Sequence, residues 1–115
     1  MAPLPDGKHM LSNIQWHRRD EDGALRPLHG FTTGTISVDG STIRVEVRFA
    51  DQNLSNRFSD FEQDGSRVTL QVSLLGESDV YRVPGDTHAL ERAGACYILR
   101  LTGQSEDLSA VHAAA

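Results

Sequence analysis

The chain has 115 residues, enough for one domain with a real core and too few for two. Apolar residues make up 38% and charged residues 23%, with 10 glycines and 4 prolines, a composition that excludes collagen-like, disordered and membrane-spanning classes. A formal charge of −5 argues against general attraction to nucleic acid or an anionic membrane, both of which favour a surplus of Lys and Arg.

In chain order, residues 1–9 carry two prolines and no periodicity, and read as a flexible arm ahead of a β-rich domain spanning 10–103. Met10, Ile14 and Trp16 share parity, so 10–17 is a predicted strand with Trp16 as a core anchor. Asp20 to Gly23 reads as a polar loop. Phe31 to Val38 is rich in β-branched residues and forms the next predicted strand. Asp39-Gly40 then supplies a tight-turn signal, and Ile43, Val45, Val47 and Phe49 alternate with Arg44, Glu46 and Arg48. Strands 31–38 and 42–49 are therefore expected to pair as a hairpin.

Leu54, Phe58 and Phe61 break the period of two. Their spacing of four and three predicts a short helix over about 51–62, with Asp51 as its cap. Val68, Leu70, Val72 and Leu74 restore alternation, and two further strands are expected, a short one at 79–83 and another at 95–102. The last has apolar residues of both parities and needs cover on both faces. The tail, 104–115, carries Leu108, Val111 and a closing alanine run that suit a short helix. These elements predict a mainly β fold: a small antiparallel β-sandwich or partly open β-barrel with one helix.

Pro84-Gly85-Asp86-Thr87-His88 places an acid and an imidazole on a turn, with Cys96 further on. A catalytic thiol needs an adjacent imidazole, so Asp86, His88 and Cys96 form the candidate catalytic set, against the commoner role of Cys96 as a structural thiol. Asp79 through Pro84-Gly85 to His88 resembles the second metal-binding motif of the cupins. The proline-to-histidine spacing is one residue short, however, and the stretch from Phe58 to Gly76 holds no histidine for the first motif, so the likeness assigns neither fold nor metal. The five histidines, His9, His17, His29, His88 and His112, show no ligand spacing; only His17 and His29, flanking one loop, offer a convergence in space. No metal or cofactor is expected.

Arg44, Glu46 and Arg48 on one polar face are candidate binding residues, with cross-strand ion pairing as the plainer role. Trp16, Tyr81 and Tyr97 are candidates to line a pocket. A single cysteine allows no internal disulfide and suits a reducing, cytoplasmic setting or carriage within a particle. The functional expectation is a non-catalytic protein-interaction or assembly module: a structural subunit of a particle, or an inhibitor or immunity-type binder. It would act through a strand face or edge on a protein partner or a second copy, with no nucleic acid or membrane partner. The alternative is a small barrel enzyme or ligand-binding protein with a pocket near Asp86 and His88.

Overall fold

The computed structural model describes residues 4–18, 26–28, 31–65, 67–77 and 79–111. They form nine antiparallel strands, β1 (Gly7–Arg18), β2 (Arg26–Pro27), β3 (Phe31–Asp39), β4 (Thr42–Phe49), β5 (Val68–Leu74), β6 (Val80–Pro84), β7 (Thr87–Ala93), β8 (Cys96–Gln104) and β9 (Ser109–Val111), with one helix, α1 (Gln52–Asp64). The sheet runs β7-β8-β4-β3-β1-β5-β6-β9, with β2 beside β1. It is curled but not closed, as expected of a sandwich or partly open barrel. Among the described residues no helix is long and apolar enough to cross a membrane.

Alternation builds the core. On β4, Ile43, Val45, Val47 and Phe49 are all fully buried, while Arg44 and Arg48 are exposed. β5 contributes Val68, Leu70, Val72 and Leu74 to the same core. The β3–β4 hairpin forms as expected, Asp39 facing Thr42 and Gly40 taking the positive φ of 60° that the turn requires.

The hinge of the sheet is β1. Its first part, Gly7 to Met10, pairs with β3, and its second, Leu11 to Arg18, pairs with β5. Between them the register slips: Leu11 faces Leu74, but Asn13 already faces Ser73. Such a bulge shifts the side-chain parity by one. Leu11 is therefore buried and Met10 stands 48% exposed, which corrects the expectation that Met10 shares the inner face with Ile14 and Trp16.

The helix forms where expected. Asp51 caps it, its Oδ1 accepting from the backbone N–H of Asn53 at 2.9 Å and Leu54 at 3.3 Å. Leu54, Phe58 and Phe61 are its buried side chains, together with Ser55. Phe58 meets Trp16 edge-on at 5.2 Å and Phe49 at 6.0 Å, so α1 is seated by an aromatic cluster from β1 and β4.

Three expectations need correction. Residues 7–9 are part of β1, Leu4 is buried in the core, and Asp6 Oδ1 accepts the Gly40 N–H at 3.3 Å, so the described part of the N-terminal arm is packed onto the domain. Thr87–Ala93 is a strand rather than part of a turn region, paired along its length with β8. Ser109–Val111 is a strand on β6 instead of a helix, preceded by a 3-10 turn at Ser105–Asp107 whose Ser105 Oγ donates to Gly40 O at 3.0 Å. The polar loop at 20–23 and the last residues of the tail lie outside the described residues.

The chain passes from β6 to β7, and so from one half of the sheet to the other, through Gly85 and Asp86. Gly85 N–H donates to Val68 O at 3.0 Å and Asp86 N–H to Thr102 O at 2.9 Å, which ties β5 to β8 across the interior.

Candidate interaction surface

The expected catalytic set does not assemble. In the β7–β8 hairpin His88 faces Leu101 and Cys96 faces Ala93, so the two lie about five rungs apart, roughly 17 Å along the strands. Cys96 and His88 do not pair. His88 is half-buried with Nε2 3.3 Å from Phe58 O, where it donates to the carbonyl and ties β7 to α1. A groove of about 320 Å³ does open beside it, lined by Glu62, Gly65, Arg67, Asp86, Thr87 and His88. Its described lining side chains are polar or charged, without the aliphatic or aromatic wall on which a small-molecule site normally rests.

Trp16 and Tyr81 are 3% and 6% exposed and belong to the core, and half-buried Tyr97 packs on Phe49 with ring centroids 5.8 Å apart. They are structural rather than the wall of a pocket. Burial first, then the charges of Asp79 and Glu77, push the Tyr81 phenol above its ordinary range. Its ionisation in the unfolded chain therefore precedes that in the folded one. The contribution to stability is fully present below the unfolded value of about 10 and is lost as pH rises beyond it. Tyr81→Phe should flatten the alkaline limb of a Tm-against-pH curve and leave Tm near neutrality almost unchanged.

On the outer face of β4, Glu46 lies opposite Arg100 of β8 and pairs with it at 3.3 Å, while Arg100 also binds Glu91 of β7. Glu91, with Glu46 behind it, holds the exposed Arg100 guanidinium still more firmly protonated than usual. The plainer expectation thus describes Glu46. Arg48 has a partner as well, and Arg44 lines a groove of about 410 Å³ with Ser37, Asp39 and Thr42. No cluster of three or more His, Cys, Asp or Glu fit for a metal exists among the described residues, and His29 and His112 lie outside them.

The surface that sequence reading missed lies at the hinge of β1. Among the described residues Met10 and Leu75 are the two large apolar side chains left exposed, at 48% and 67%, and they are neighbours: Leu75 N–H donates to Met10 O at 2.9 Å. Beyond this bond the chain turns away from β1, Glu77 N–H closing back on Leu74 O at 3.2 Å. Backbone groups two residues apart on a strand point to the same side. The N–H and C=O of Lys8 therefore face the side on which Met10 meets Leu75, where β5 has already ended. A groove of about 450 Å³ runs along this edge, lined by Lys8, His9, Met10, Leu74, Leu75 and Glu77.

This places the chain in a structural class, an unclosed antiparallel sheet with one helix, in which Lys8 of β1 pairs with β3 on one side and with no strand on the other among the described residues. No family profile, no curated protein and no solved structure matches the chain.

Proposed function

We propose that the protein is an interaction module that receives an extended segment of a protein partner along the open edge of β1. The observation that carries this reading is the edge at Lys8, flanked by exposed Met10 and Leu75. Open edges with apolar flanks invite pairing, and folded domains usually blunt them. The strands at the two ends of the sheet order are blunted: α1 packs against β7, and β9 is only three residues long. An added strand would make backbone bonds to Lys8 and set alternate side chains against Met10 and Leu75, with Lys8 and Glu77 at the rim. The free thiol of Cys96 suits a reducing compartment, which keeps the cytoplasmic or particle-borne reading.

The test is selection of binders from a library of extended peptides, followed by titration against Leu75→Asp. Because Leu75 is exposed, this change should alter stability by no more than about 0.5 kcal/mol. Selected peptides should lose at least tenfold in affinity. A second copy presenting its own Lys8–Met10 edge would be the self-associating form of the same reading, seen as concentration-dependent dimerisation that Leu75→Asp abolishes. Binders unaffected by the substitution, together with a monomer at all concentrations, would overturn the reading.

A further inference from the structure

A second feature lies at the other end of β1. Trp16 is the only tryptophan of the chain, and two guanidinium groups converge on its ring: that of Arg26 from β2, 5.5 Å from the centroid, and that of Arg57 from α1, 5.3 Å away. Two cations on one ring are thus within about 11 Å of each other, and both residues are exposed. Neither forms an ion pair among the described residues. The indole is 3% exposed, and its buried Nε1–H has no acceptor among the described residues. An unmet buried donor costs stability, and folded proteins leave few of them.

All three groups are donors, two are positively charged, and none has an acceptor among the described residues. Guanidinium forks are the side-chain chemistry that grips oxyanions, each by parallel N–H bonds to two oxygens. Two such charges match a dianion better than a single carboxylate. We propose that Arg26 and Arg57, over the indole of Trp16, form a binding site for a phosphate group. The site is local: a chain of formal charge −5 does not gather phosphate through its overall field. It is independent of the strand edge at Lys8 and stands or falls separately.

The single tryptophan makes the site its own reporter. Titration of the full chain with inorganic phosphate at constant ionic strength, followed by Trp16 emission, should give a saturable change. Arg57→Ala and Arg26→Ala should each weaken it at least tenfold, and Arg57→Lys, which keeps the charge but not the fork, should recover only part of it. Thermal melts of these variants, both at exposed positions, verify that the fold is intact. A parallel titration with one peptide in phosphoserine and serine forms distinguishes free from protein-borne phosphate: a response to either phosphate source supports the site and identifies that source. An equal response to acetate or chloride, or none to phosphate and phosphopeptide, or binding undiminished in both alanine variants, would overturn the proposal.

Discussion

Phe58→Ala should lower stability by about 3–5 kcal/mol, the range for removing a fully buried aromatic ring. That is a large share of the roughly 5–15 kcal/mol available to a domain of this kind. The ring lies between Trp16, Phe49 and Phe61, with centroids at 5.2, 6.0 and 6.4 Å, so its loss opens a cavity where helix, β1 and β4 meet. These neighbours are held by separate elements and cannot all close in. Denaturant unfolding followed by far-UV circular dichroism measures the cost, and a loss under about 1 kcal/mol would mean that α1 is not seated as described.

Gly85→Ala should be nearly as damaging, for the opposite reason. A Cβ there would stand 2.6 Å from Leu101 Cδ1 and 2.7 Å from the carbonyl oxygen of Val68. The leucine can rotate, but that carbonyl accepts the Gly85 N–H and is fixed in β5. The same crowding recurs at Gly103, where a Cβ would meet Pro84 O at 2.7 Å. Overpacking at a rigid contact costs at least about 1–3 kcal/mol, and here it also pries apart the joint that ties β5 to β8. The melting temperature of Gly85→Ala should fall by several degrees or more. A variant as stable as the parent would show that the two halves of the sheet approach less closely at this point.

The strands that alternate strongly were legible. β4 and β5 place charged or polar side chains between buried aliphatic ones, and the helix was marked by Leu54, Phe58 and Phe61 because its apolar spacing differs from that of a strand. β7 was not legible. Its half-buried positions include His88, Leu90 and Ala93, only one of them strongly apolar, because an edge strand beside a helix buries little. β9 was hidden by alanine, whose helix propensity gives way to pairing with β6.

The candidate site was lost through a single residue. Counting by twos from Trp16 through Ile14 puts Met10 inside, and only the bulge between Leu11 and Asn13 turns it out. Nothing local marks that bulge, since it arises where β1 exchanges one partner for another. Leu75 gave a fainter signal: it follows the last rung of a strongly alternating strand with the wrong parity for the core. Arg26 and Arg57 are far apart in sequence, and only the seating of α1 brings both onto Trp16.

The open edge of β1 is tested most directly by amide hydrogen exchange at Lys8, compared with His9 in the same strand. In the free monomer the Lys8 N–H should exchange nearly as fast as in an unfolded chain, while that of His9, directed toward β3, should be protected. On binding a selected peptide, Lys8 should become protected as His9 is. Strong protection of Lys8 in the free monomer, or exchange there that a bound peptide leaves unchanged, would contradict strand addition at this edge.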